Sequence, residues 1–185
     1  MGSEMCIRDR HSVTGYVVSL NNGPVAWKAK RQACTTLSSA EAEFVAASLC
    51  GQEVIYLRSL LRGFGFEQTS PTTVYEDNAS CIAMSHNPVK PEHSRHIDTR
   101  LYFLRDMVRD KVLKLAKCPG TENVADALTK SVPGPTLAKH REYLLGTHVP
   151  FKTYSVKHRA YPWGSRVPFQ ACLLYTSPSP RDGLL

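Results

Sequence analysis

The sequence predicts an α/β fold in which helices pack against a sheet. Three observations predict it. Short runs rich in β-branched and aromatic residues alternate with longer runs of helical period. Glycine, proline and asparagine punctuate nearly every run. The resulting order, strand, strand, helix, strand, helix, helix, strand, helix, needs both a hairpin and crossover connections.

Each element has a local reason. GYVVSL (15–20) and VAWKAK (25–30) read as strands, joined by Asn21-Asn22-Gly23-Pro24 as a hairpin turn. A long helix runs from Ser38 to about Arg62 and stops at Gly63 and Gly65. TTVYE (72–76) is a short strand closed by Asp77-Asn78, and a short helix follows to about His86, where Pro88 and Pro91 end it. Residues 97–111 form a helix with Leu101, Leu104 and Val108 on one side. VLKLA (112–116) is a strand, Pro119-Gly120 a turn and 124–130 a helix. A last helical stretch lies beyond Pro133 and Pro135 and reaches Leu145.

The chain has 185 residues, enough for one domain with tails, and its 42% hydrophobic content supplies a core. A net charge of +7 favours a polyanionic partner such as nucleic acid. The six cysteines include no C-x-x-C pair, which excludes a zinc ribbon or knuckle and points to a reducing compartment. No apolar run is expected to span a bilayer, and MGSEMCIRDR lacks the apolar stretch of a secretory signal.

The two ends can be encoded by opposite strands of one DNA segment, as an adapter or a true terminal repeat would be. One back-translation of Gly2 to Asp9 has a reverse complement that reads LLYTSPS in a shifted frame, the string at Leu173 to Ser179. Both ends thus resemble a transposase adapter of the kind used to prepare sequencing libraries. The expected organisation is adapter-like sequence over 1–9, a domain over 10–150, a basic and poorly ordered tail over 151–171, and adapter-like sequence over 172–185.

Three carboxylates attract attention. In LSSAEAEFVAA, Ser38 and Glu41 have the spacing of a capping box, which gives Glu41 a structural task. Glu43 instead heads an apolar stripe through Ala47, Cys50, Val54, Leu57 and Leu61, the side that faces the sheet. An acid there is costly unless it is paired or binds a metal; in the first helical turn it can also simply oppose the helix dipole. Asp77 ends a strand, where α/β sites gather, although Asp77-Asn78 could also just cap the next helix. Asp126 stands three residues after Asn123, a possible N-cap, and could be a first-turn acid. Three acids at element ends beside one sheet suit a hard divalent cation.

The runs TGYVVSL, PVAWKAKRQ, LSSAEAEFVAA, YEDNASCIAM, RHIDTRLYFLRD and ENVADALTK together resemble the ribonuclease H domain of copia-type LTR retrotransposon polyproteins, over about residues 10–150. The resemblance implies a mixed five-stranded sheet flanked by helices and hydrolysis of the RNA strand of RNA–DNA hybrids. It implies carboxylate ligands for two magnesium ions, with manganese a possible substitute. Glu43, in Glu43-Phe44-Val45-Ala46-Ala47, matches the helix carboxylate, Asp77 the strand carboxylate and Asp126 the late-helix carboxylate. Expected partners are the hybrid and the reverse transcriptase of the same polyprotein, in a cytoplasmic virus-like particle, with no membrane. The other readings are a non-catalytic hybrid-binding tether and an inactive genomic relic.

Two departures stand out. The family's first, central strand and its aspartate are replaced by the adapter-like start, and Asp9 is not promoted to that role. The expectation is a sheet lacking its middle strand, poorly stable and weakly active or inactive, with Met5-Cys6-Ile7 as an opportunistic filler. The loop Cys118-Pro119-Gly120-Thr121-Glu122 also lacks the mobile histidine of cellular ribonucleases H. Elsewhere, His93, His96 and Asp98 have no cysteine partner for zinc. Arg100, Arg105, Arg109, Lys111, Lys114 and Lys117 form either a solvated face or a phosphate-contacting one. Trp27 and Tyr102 are expected in the core.

Overall fold

The computed structural model describes residues 12–21, 23–33, 36, 38–86, 95–145 and 169–176, with backbone alone for 95–98, 101 and 169–176. The chain is mixed α/β. Strands β1 (Val13–Leu20) and β2 (Gly23–Arg31) form an antiparallel hairpin whose register runs from Val13 opposite Arg31 to Leu20 opposite Gly23, with a slip between Val18 and Ser19. Asn21 takes the left-handed conformation at the turn (φ 49°), which asparagine tolerates better than most residues.

Helix α1 (Ser39–Gly63) starts at the expected cap: the Glu41 N–H donates to Ser38 Oγ at 3.2 Å. Then come β3 (Thr72–Glu76), α2 (Ala79–His86), α3 (Arg95–Arg109) and β4 (Leu113–Lys117). A 3-10 turn over Gly120–Glu122 leads into the four-residue α4 (Asp126–Thr129), and α5 (Gly134–Leu144) follows. The last described element is β5 (Phe169–Thr176).

The five strands form one sheet in the order β2-β1-β5-β3-β4. β5 runs antiparallel to β1 over eight residue pairs, from Val13 opposite Thr176 to Leu20 opposite Phe169. On its other side it runs parallel to β3, with Tyr75 opposite Cys172, and β3 is parallel to β4. The middle of the sheet is therefore filled, contrary to the expectation of a missing central strand. Residues 5–7, the filler expected from sequence, lie outside the described residues. The filler is instead a run that straddles the basic tail and the adapter-like end; the rest of 151–185 lies outside the described residues. The physical demand is simple: β1 and β3 each present a row of backbone donors and acceptors, and an apolar, β-prone run such as FQACLLYT satisfies both.

Strand alternation sends side chains to two cores. Tyr16, Val18 and Val74 face α1, packing with Phe44, Ala47, Cys50, Val54, Leu104 and Leu113. On the opposite face Val17 packs with Ala125, which caps α4, with Leu128 of α4 and with Tyr143 and Leu144 of α5. Burying each of the larger apolar side chains contributes roughly 1.5–3 kcal/mol. α1 approaches its neighbours closely at Gly51, where an added Cβ would lie 3.1 Å from Leu113 and 3.4 Å from Phe103.

Two expectations need correction. Trp27 and Tyr102 are not core residues: they are 64% and 53% exposed. Trp27 lies on the edge strand, and Tyr102 on the solvent side of α3. Secondly, α1 is long and apolar enough to cross a bilayer by length and composition. Its apolar stripe is instead the main packing surface against the sheet.

Candidate metal centre

The site lies where the C-terminal end of β3 meets the first turns of α1. Alternation along β3 turns Thr72, Val74 and Glu76 inward, so Glu76 shares the buried face with a core valine. Asp77 follows as the chain leaves the strand. Asn78 then caps α2 by itself, its Oδ1 accepting from the N–H groups of Ser80 (2.9 Å) and Cys81 (3.1 Å). Asp77 is thereby not needed as a cap.

Glu43 reaches the same place from α1. Its helical turn is fixed twice, by the Ser38 cap and by Gln32 at the end of β2. Gln32 is buried; its Nε2 donates to the Ala42 carbonyl and to Thr14 Oγ1, each at 3.0 Å. This joins the hairpin to the helix one residue before Glu43.

Oxygens of Glu43, Glu76 and Asp77 lie within 4.8 Å of one another. Glu43 is 4% and Glu76 0% exposed, and Asp77 is half-buried. Burial, followed by the neighbouring Asp77 charge, pushes the Glu76 carboxyl from 4.5 up to about 8, despite the Asn78 N–H donated to Oε1 at 2.9 Å. Burial, then the charges of Glu76, Glu43 and Asp77, holds the Cys81 thiol protonated beneath them. Cys50, Cys81 and Cys118 are free and buried.

Asp126 begins α4 nearby. It is 5% exposed, and its Oδ2 is paired with Lys130 Nζ at 2.7 Å. Burial raises its pKa against the pull of Lys130, and Asp77 raises it further, so the two carboxylates feel each other. Asp126 does not join the 4.8 Å cluster. Asn123 is buried, and its Oδ1 accepts from the Ala125 N–H at 3.3 Å, bracing the approach to α4. Gly120 sits against the site: a Cβ there would stand 3.2 Å from Asp77 Oδ2. The histidine beside Asp126 is His140 of α5, fully buried, with its pKa lowered by burial.

The donor set is all carboxylate, the chemistry of magnesium, manganese or calcium rather than of zinc or copper. Among the described residues, buried Glu76 Oε2 and Asp126 Oδ1 have no hydrogen-bond partner. Buried anionic oxygens of this kind are costly unless a cation or proton compensates them. The residues fit a hard divalent cation.

Of the sequence-predicted residues, the structure brings Glu43 and Asp77 into contact range and sets Asp126 close by. It adds Glu76, which sequence reasoning passed over although strand alternation from Val74 marks it as inward-facing. Of the basic set, Arg105 Nε donates to the Met84 carbonyl at 3.0 Å, and Arg109 is paired with Asp106 and Asp110. Lys111, Lys114 and Lys117 are exposed. His93 and the side chains of His96 and Asp98 lie outside the described residues.

The chain is similar to the retrovirus-related Pol polyprotein from transposon TNT 1-94 of Nicotiana tabacum, 39% identical over 142 residues, or 77% of this chain. It is 30% identical over 142 residues to the Pol polyprotein from transposon RE1 of Arabidopsis thaliana, and 31% over 122 residues to that from transposon RE2. The homologues are retrovirus-related Pol polyproteins. The chain spans about a tenth of their length, 10%, 10% and 8% respectively. The chain thus corresponds to a fragment of a retrotransposon polyprotein. No family model matches it, and no solved structure does.

Proposed function

We propose that this chain is the ribonuclease H part of a copia-type retrotransposon polyprotein, an endonuclease that hydrolyses the RNA strand of RNA–DNA hybrids during reverse transcription. The observation that carries the reading is the convergence of Glu43 and Asp77, from separate elements, at the end of a buried strand. The sheet adds support. The sheet is mixed, with an antiparallel hairpin and a parallel strand pair, in keeping with the mixed sheet that the resemblance implies.

Glu43, Asp77 and Asp126 would hold magnesium, with manganese as a substitute. When bound, the metal supplies charge to the scissile phosphate and lowers the pKa of the attacking water. The chain's own residues do the rest. Gln32 and the Ser38 cap hold Glu43 in place, so its carboxylate is preorganised. Gly120 leaves room beside Asp77. Lys117, paired in register with Glu76, is exposed at the same edge and suits a phosphate of the hybrid backbone. Water adds to phosphorus and the 3′-oxygen leaves, giving a 5′-phosphate and a 3′-hydroxyl. The partners on this reading are the hybrid and the adjoining reverse transcriptase, in a cytoplasmic particle.

The test is cleavage of end-labelled RNA in a hybrid, with the RNA duplex and the DNA duplex as controls. We expect magnesium-dependent cuts in the hybrid alone, weak because the strand at the centre of the sheet, FQACLLYT, brings no aspartate, and lost in Asp77→Asn and in excess EDTA. Hybrid binding without cleavage would replace the enzyme by a non-catalytic hybrid-binding tether.

A further inference from the structure

The cation site proposed above draws on Glu43, Asp77 and Asp126, but the geometry selects a different trio. Resting on that reading, we infer that Glu76 is a ligand of the tightest divalent-cation site, built from Glu43, Glu76 and Asp77 on α1 and the end of β3, while Asp126 is held apart from it by Lys130.

Three observations carry this. The oxygens of Glu43, Glu76 and Asp77 are within 4.8 Å of one another, close enough to share one hard cation, and Asp126 is not among them. Glu76 is wholly buried, and although Oε1 accepts from the Asn78 N–H, Oε2 has no hydrogen-bond partner among the described residues. A carboxyl kept only for packing beside Val74 and Cys81 would gain nothing from a second, unsatisfied oxygen. Asn78 already caps α2, so Glu76 has no capping task that a neutral residue could not take over. Lastly, Asp126 Oδ2 has a cation of its own, the Lys130 ammonium at 2.7 Å. To ligate a metal through that oxygen, Asp126 must first give up a charge-assisted bond.

The experiment uses the full chain stripped of metal, with manganese binding followed by electron paramagnetic resonance and the magnesium-induced rise in melting temperature as a second readout. Four proteins are compared: the parent, Glu76→Gln, Asp126→Asn and Asp77→Asn. Loss of an inner ligand costs at least the roughly tenfold typical of outer-shell groups. We expect Glu76→Gln to weaken manganese binding about tenfold or more and to abolish the magnesium-induced rise. Asp126→Asn should weaken manganese binding by less than Glu76→Gln does, because Lys130 already holds that carboxylate. Parent-like manganese affinity in Glu76→Gln, combined with a large loss in Asp126→Asn, would overturn the inference. Should Glu76→Gln fold poorly by circular dichroism, Glu76→Asp shortens the ligand and keeps its charge; undiminished affinity there would overturn it equally. If Asp77→Asn also bound as the parent does, the proposed nuclease site itself would fail, which separates the two conclusions.

Discussion

Removing β5 should abolish the fold. The perturbation is a chain that stops before Phe169. β5 pairs with eight residues of β1 and three of β3. Those ladders amount to on the order of ten backbone hydrogen bonds, each worth about 1 kcal/mol net. The sum, about 10 kcal/mol, matches the whole stability of an ordinary domain, about 5–15 kcal/mol. The loss is larger still if the facing groups stay buried, because Tyr16, Val17 and Val18 in β1 are at most 2% exposed and leave water little access. A milder form is Cys172→Pro, which deletes one donor from the middle of the strand and leaves its acceptor unsatisfied, at a cost of about 1–3 kcal/mol. The assay is urea unfolding followed by far-ultraviolet circular dichroism, with hydrogen exchange of the β1 amides. The truncated chain should show no cooperative transition and no protected β1 amides. A truncated chain with an unchanged midpoint and slow β1 exchange would refute the reasoning, because β1 and β3 would then have found their partners elsewhere.

Three further outcomes follow from the site. In metal-free buffer stability should fall as pH rises from about 4.5 to about 8, since folded Glu76 keeps a proton that the unfolded chain releases; below that window the contribution is flat, and Glu76→Gln should remove the slope in a urea titration. Gln32→Leu deletes two buried hydrogen bonds and should cost about 2 kcal/mol, while a displaced Glu43 also weakens manganese binding; unchanged affinity would show that Glu43 does not depend on that tie. Gly120→Val places atoms against Asp77 Oδ2 and should lower metal affinity several-fold in a manganese titration, with stability in EDTA falling by about 1 kcal/mol.

The parts of the fold that sequence predicts are those with local causes. The hairpin follows from its asparagine and glycine turn, and α1 from the Ser38 cap and the two closing glycines. Glu43 is legible in the sequence because a helical stripe fixes which way it points. Glu76 was missed although the same reasoning, at a period of two, applies along Thr72-Val74-Glu76. The placement of β5 had no local signal, since any apolar β-prone run can fill a gap between two strands. Trp27 reads as a core residue because VAWKAK alternates like a half-buried strand, and nothing in six residues says that the strand lies at an edge. The tie between Asp126 and Lys130 follows helical i,i+4 spacing and was open to prediction. Its competition with a metal needed the distances.

The position of β5 also bears on how the molecule is made. β1 must wait for a partner that lies roughly 150 residues later, a long-range pairing of the kind that slows folding. During synthesis the β1–β2 hairpin and the β3–β4 pair emerge first as two half-sheets with no seam between them. Glu43 and Asp77 belong to elements that this seam brings into register. A nascent chain that has not yet delivered β5 therefore holds its acidic residues without the frame that aligns them.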